Sequence, residues 1–180
     1  MLKQEEYKIG KTLISSKEIK KRVKEIAAEI NKAYKGKELC ALVLLKGSFI
    51  FAADLLRSFK VDSYIDFMKV ESYGASMTSR KLVWHFKITD DVKGKHLLVI
   101  DDMCDSGKTL SNAVKYLKTL KPADIKVCVL LKKIRKRNKK NLVKLDYVGF
   151  KIPDTFVIGY GLDFAGKYRN LPFIAKMVKK

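Results

Sequence analysis

Residues 97–110 read Leu-Leu-Val-Ile-Asp-Asp-Met-Cys-Asp-Ser-Gly-Lys-Thr-Leu. The apolar run Leu97–Ile100 predicts a short buried strand. Asp101 and Asp102 follow it, then Met103 and Cys104, then Asp105 and a Ser106-Gly107-Lys108-Thr109 turn that opens a helix. A strand that ends in acids and runs into small hydroxyl residues at a helix N-terminus outlines a site for a phosphorylated sugar. Free backbone N–H groups and the positive end of the helix hold phosphate. Carboxylates beside them hold hydroxyls, a metal or a proton. An ordinary strand-to-helix connection with Asp or Ser as helix cap fits part of the pattern, but a cap needs only one acid. The nucleoside-triphosphate loop G-x-x-x-x-G-K-[ST] is excluded: the position five before Gly107 is Asp102, not glycine.

Outward from this stretch, strands and helices alternate. Ser15 followed by Glu18 is a capping box, and Ile19, Val23, Ile26, Ala27 and Ile30 recur at helical spacing up to a stop near Gly36. Leu39–Leu45 is a continuous apolar run of strand length, followed by helical spacing through Phe51, Leu55 and Leu56. Ile65 and Phe67, then Trp84, Phe86 and Ile88, alternate with polar residues and predict two strands joined by the polar connector Glu71–Lys81. Little in that connector anchors it, which predicts mobility. Beyond residue 107 the pattern gives a helix from about Lys108 to Leu120, a stop at Pro122, an apolar strand Ile125–Leu131, and shorter strands near Tyr147–Phe150 and Phe156–Tyr160. The expected fold is α/β: a mostly parallel central sheet flanked by helices, in a single domain over 1–180. A small hood, formed mainly by about 133–180 with a possible share of the N-terminal segment, covers the sheet's carboxyl edge, where open α/β sheets bind ligands.

Composition narrows the class. At 180 residues and 47% apolar content the chain fills one domain with a full-sized core. No apolar run approaches a membrane span and the N-terminus lacks the apolar centre of a signal peptide, which predicts a cytoplasmic protein. Cys40, Cys104 and Cys128 sit in apolar stretches without metal-ligand spacing and read as reduced core residues. A net charge of +20 favours anionic partners, although most of the excess is scattered lysine. The one dense run, Lys132–Lys140, reads as a solvated loop at a strand end, with RNA or partner contact as the other reading.

Residues 99–109 resemble the phosphoribosyl-pyrophosphate motif of the type I phosphoribosyltransferases. Four further segments resemble the hypoxanthine-guanine branch: Leu45-Lys46-Gly47-Ser48, Ser72-Tyr73-Gly74, Lys133, and the run from Pro153 to Asp163. They occur in that branch's order between residue 45 and about residue 172. The resemblance implies transfer of a 5-phosphoribosyl group to hypoxanthine or guanine, giving IMP or GMP and pyrophosphate with Mg2+, by a homodimer or homotetramer without membrane contact.

It also implies roles for single residues. Asp105 is the general base or acid at the purine's imidazole nitrogen, and Ser106, Gly107, Lys108 and Thr109 form the 5-phosphate loop. Asp101 and Asp102 hold the ribose hydroxyls and, with Asp163, stand near the metal; Asp101 is one methylene shorter than the family's usual Glu. Lys46, Gly47 and Arg169 contact pyrophosphate, with a cis peptide at Lys46-Gly47. Phe156 stacks on the purine, Val157 offers backbone groups to its edge, and Ser72 and Tyr73 belong to a closing flap. Lys133 selects the base, because an ammonium only donates hydrogen bonds. It suits a 6-oxo group, and leaving it unpaired against a 6-amino group costs about 1–3 kcal/mol, a tenfold or greater preference. Two other functions fit less of the chain. One is the same transfer to xanthine or another base. The other is an RNA-binding regulator similar to the pyrimidine attenuation proteins, which generally carry a bulky aromatic where this chain has Asp105. Nucleic acid is therefore not the expected partner.

Overall fold

The computed structural model describes residues 6–73, 81–86, 88–89, 91–135 and 143–180. Its centre is a six-stranded sheet built from β2 (Leu39–Leu44), β3 (Ser63–Tyr73), β4 (Lys81–Phe86), β5 (His96–Cys104), β6 (Asp124–Ile134) and β7 (Tyr147–Pro153). The order across the sheet is β4-β3-β2-β5-β6-β7, with every neighbouring pair parallel except β3 with β4. The mostly parallel α/β sheet expected from the alternating pattern is present.

Helices cover both faces because the central strands are apolar on both. On one face lie α1 (Ser16–Ala33) and α2 (Phe49–Leu56), packed on Leu39, Ala41, Val43, Leu98 and Ile100. The buried residues of α1 are the five that the periodicity selects, and the Ser15–Glu18 capping box is formed in both directions. On the other face Leu110, Ala113 and Leu117 of α3 (Lys108–Thr119) cover Cys40, Leu42, Leu97, Val99, Val127 and Val129. All three cysteines are buried and unbridged, and burial pushes the Cys128 thiol well above the usual range.

Three features depart from the expectations above. β5 does not stop at Ile100. Its ladder with β6 continues through Asp101↔Val129, Met103↔Leu131 and Cys104↔Lys132, so the acidic pair is held by strand backbone and not by a loop. The start of the Lys132–Lys140 run is strand too: Lys132, Lys133 and Ile134 belong to β6 and pair with β7. Ile65 and Phe67 do alternate with polar neighbours, but they stay about half exposed while Met68 is the buried residue.

The hood also begins later than about residue 133, because β7 pairs with β6 and is part of the main sheet. It is a three-stranded antiparallel sheet, β1-β9-β8, of Tyr7–Ile14, Ile174–Lys179 and Val157–Ile158. The N-terminal segment thus supplies an edge strand. Tyr160 ties the hood down: its hydroxyl donates to Asp54 Oδ2 of α2 at 2.6 Å. The flap connector falls partly outside the described residues. β3 and β4 pair as far as Tyr73↔Lys81, which puts Ser72 and Tyr73 at the outer end of that pair; residues 74–80 are not described. Among the described residues no helix is long and apolar enough to cross a membrane.

Candidate active site

The carboxyl ends of β2, β5 and β6 deliver the chemistry-bearing side chains to one place beneath the hood. A cavity of about 270 Å³ is lined by Asp102, Met103, Asp105, Lys133, Phe156, Val157, Leu162 and Asp163. Larger hollows of about 570 and 640 Å³ lie elsewhere, one against α3 and the start of β6, the other beside the end of α1. Neither combines paired acids with a helix N-terminus, so the smaller cavity is the candidate site.

Residues 105–109 run from the end of β5 into the start of α3. Gly107 stands at the N-cap of α3 with φ +79°, a left-handed conformation that favours glycine, and carries no side chain to cap the helix. Its carbonyl accepts the first helical bond, from Ser111 N–H at 2.8 Å. Ser106 and Lys108 are exposed and Thr109 is half-buried, with a 3.4 Å bond from Lys108 N–H to Ser106 Oγ. A helix start capped by no side chain of its own N-cap residue leaves N–H groups for an anion.

Beside it stands the acidic pair. Asp101 Oδ1 accepts the backbone N–H of Asp102 at 2.9 Å. Enclosure by protein raises the Asp101 carboxyl well above the usual range, reinforced by the charge of Asp102. Enclosure also raises Asp102, against its hydrogen bonds and the opposing charge of Arg169. Two enclosed carboxylates side by side are costly until hydroxyl donors or a cation arrive. Among the described residues no three His, Cys, Asp or Glu side chains cluster to hold a metal alone. Asp101, Asp102 and Asp163 are therefore not a closed protein cage. Hard oxygen donors on one side of a cavity fit an ion such as Mg2+ that keeps waters and shares substrate oxygens.

Arg169 and Asp163 are brought together. Arg169 Nη2 lies 2.7 Å from Asp163 Oδ1, and its Nη1 donates to the Gly161 carbonyl at 2.6 Å. Asp163 also accepts Gly166 N–H at 2.7 Å. The Lys46-Gly47 loop follows β2, with Leu45 N–H donating to Met68 O. The cis peptide is one bond earlier than expected, at Leu45–Lys46. Gly47 packs against Asp102, and Gly161 against the Gly47 carbonyl, so closely that neither has room for a Cβ.

Lys133, Phe156 and Val157 also line the cavity. Lys133 is 8% exposed, and its Nζ lies 3.8 Å from Asp105 Oδ2 and 3.4 Å from Asp154 Oδ1. Val157 is buried, whereas Phe156 is 48% exposed, its ring T-shaped to Phe164 at 5.6 Å between centroids. A half-exposed ring that lines the cavity can stack on a planar ligand.

The chain is similar to known proteins in sequence and fold. Residues 11–165 match the family model described as the phosphoribosyl transferase domain. The chain is 43% identical over 173 residues to the hypoxanthine phosphoribosyltransferase of Buchnera aphidicola, covering 94% of this chain and 97% of that one. It is 45% identical over 171 residues to the hypoxanthine-guanine phosphoribosyltransferase of Bacillus subtilis, covering 93% of each. The chain belongs to the phosphoribosyltransferase family. Its fold superposes on the crystal structure of a hypoxanthine-guanine phosphoribosyltransferase from Bacillus anthracis with a TM-score of 0.88 at 42% identity, covering 96% of this chain and 99% of that one.

Within this phosphoribosyltransferase the structure brings in Arg135, a residue to which the sequence pattern assigns no role, together with its partner Asp154. Arg135 Nη1 lies 2.6 Å from Asp105 Oδ1, and Arg135 Nε lies 3.5 Å from Asp154 Oδ2. The available signal is the spacing of Lys133 and Arg135, two residues apart across the end of β6. A basic run taken whole as solvated loop hides it.

Proposed function

We propose that this enzyme moves the 5-phosphoribosyl group of phosphoribosyl pyrophosphate to hypoxanthine or guanine in purine salvage, giving IMP or GMP and pyrophosphate. The supporting observation is that Asp105 and Lys133 share one small cavity with Phe156 and Val157, beside the acidic pair and the open start of α3. In this reading the residues 106–109 hold the 5-phosphate, and Asp101 and Asp102 hold the ribose hydroxyls. Lys46, Gly47 and Arg169 hold the pyrophosphate. Asp101, Asp102 and Asp163 would hold Mg2+, which when bound would supply positive charge against the departing pyrophosphate.

Phe156 stacks on the base and Val157 meets its edge through backbone groups. Lys133 donates to the 6-oxo group. Asp105 takes the imidazole proton as the ring's other nitrogen attacks the sugar carbon and the bond to pyrophosphate breaks. Charge developing on the sugar favours exclusion of water, the role of a flap containing Ser72 and Tyr73. The reading includes a cytoplasmic location and self-association as a homodimer or homotetramer. Exposed Phe49, Ile65 and Phe67 support self-association, which light scattering on the purified protein would check.

The deciding test is a spectrophotometric assay with Mg2+ and phosphoribosyl pyrophosphate, offering hypoxanthine, guanine, xanthine and adenine separately, with Asp105→Asn in parallel. Turnover of the first two, none with adenine, and a loss of about 10²-fold or more in the variant are expected. Preference for xanthine would replace the substrate. Donor binding without turnover of any base would end the enzymatic reading and direct attention to RNA.

A further inference from the structure

The purine wall carries four charged groups that alternate in sign around a closed ring: Asp105, Lys133, Asp154 and Arg135. Its edges are unequal. Arg135 to Asp105 is 2.6 Å, a charge-assisted hydrogen bond. The other three edges, Lys133–Asp105, Lys133–Asp154 and Arg135–Asp154, are 3.8, 3.4 and 3.5 Å. The carboxylate of Asp105 is therefore bonded to Arg135 more closely than to Lys133, although Lys133 is the more buried cation.

We propose that Arg135 is a positioning residue for phosphoribosyl transfer: anchored by Asp154, it holds the Asp105 carboxylate away from Lys133 so that both face the purine. The inference rests on the roles given above to Asp105 and Lys133. A carboxylate and an ammonium 3.8 Å apart attract strongly in a partly enclosed site. With Arg135 removed, Lys133 Nζ is a cation within reach of the Asp105 carboxylate, and a small movement closes that gap. The acceptor meant for the imidazole proton and the donor meant for the 6-oxo group would then bond each other. Arg135 prevents this by occupying Oδ1 from the outer side. Its planar fork reaches Asp105 through Nη1 and Asp154 through Nε at once, which fixes the guanidinium.

The ring is partly exposed, with side-chain exposures of 39% for Arg135, 42% for Asp105 and 46% for Asp154. Exposed ion pairs add little to folding stability. Loss of Arg135 should register in catalysis and hardly in melting temperature.

The test is steady-state kinetics on wild type, Arg135→Ala, Arg135→Lys, Asp154→Asn and the double variant Arg135→Ala/Asp154→Asn, each with a thermal melt. Arg135→Ala is expected to lower kcat/KM for hypoxanthine and guanine by roughly 10–100-fold, with KM for phosphoribosyl pyrophosphate within about twofold of wild type. Arg135→Lys should recover most of the loss, since an ammonium can still pair with Asp105. Asp154→Asn should cause a smaller loss, and the double variant should fall well short of the product of the two. The proposal is overturned if Arg135→Ala keeps wild-type kcat/KM, if donor KM rises as much as purine KM, or if Arg135→Lys is no better than Arg135→Ala. Wild-type and Asp105→Asn assays separate this failure from failure of the underlying reading: an active wild type and an inactive Asp105→Asn leave that reading standing while Arg135 loses its role.

Discussion

The Gly47 Cα faces the carboxylate of Asp102 with no space between them, so that a Cβ on Gly47 would overlap Asp102 Oδ2. Gly161, with φ +99°, closes the same contact from the hood, where a Cβ would overlap the Gly47 carbonyl. The loop after β2, the acid at the end of β5 and the turn after β8 are thereby locked to one another.

This contact predicts that Gly47→Ala spoils the site more than the fold. The methyl group must displace either the loop or the Asp102 side chain, and a shift of about 1 Å at such a position costs on the order of 10² in rate. Turnover is expected to fall at least that far, with donor affinity falling alongside it. The melting temperature should change by only a few degrees. Wild-type donor binding by calorimetry would refute the assignment of this loop to pyrophosphate.

The acidic pair predicts an opposition between stability and function. Asp101 titrates in the folded protein well above its unfolded value of about 4. The folded state therefore binds the extra proton, and stability falls as pH rises from about 4 through the raised pKa, the full cost persisting above it. Asp101→Asn removes that cost. Its melting temperature should exceed wild type by about 2–4 °C near pH 7–8, with the gain vanishing toward pH 4. Ligand affinity should drop. A gain that grows on acidification would contradict the sign.

Phe156 separates binding from stability in the other direction. Its ring is 48% exposed and stands T-shaped to Phe164. Removing a stacking partner costs about 1–3 kcal/mol per base, so Phe156→Ala should raise purine KM about 5–100-fold. Scanning calorimetry should find the melting point nearly unchanged. A large loss of stability with intact KM would mark Phe156 as core.

If Lys133 selects the base as proposed, its removal should be felt in the ratio between bases. Lys133→Ala is expected to lower kcat/KM for hypoxanthine at least tenfold and to reduce the discrimination against adenine. Competition assays with both bases present read this directly. Unchanged discrimination would move selection to another residue.

Short stretches of the chain carry much of this architecture. The capping box, the spacing of Ile19 to Ile30, the apolar runs at Leu39 and Leu97, and the Asp105–Thr109 turn each depend on a few adjacent residues, whose periodicity and backbone preferences act locally. The order of these segments along the chain is enough to place Asp105, Gly107 and Lys133 at one sheet edge, because parallel α/β sheets gather their connections there.

Features that depend on partners distant in the chain are not legible in this way. β5 continues through Asp101–Cys104 only because β6 runs long enough to pair with it. Tyr7–Ile14 is a strand only because Ile174–Lys179 lies alongside. Arg135 looks like one more solvated cation until Asp105 and Asp154, nineteen or more positions away in either direction, come within reach. The residue order alone specifies the helices, the central strands, the Asp105–Thr109 turn and the identity of the chemical groups. Which acid each cation holds, and where the paired strands end, is settled by the folded chain. Charge pairing and strand pairing depend on distance in space, and nothing in a local window encodes that distance.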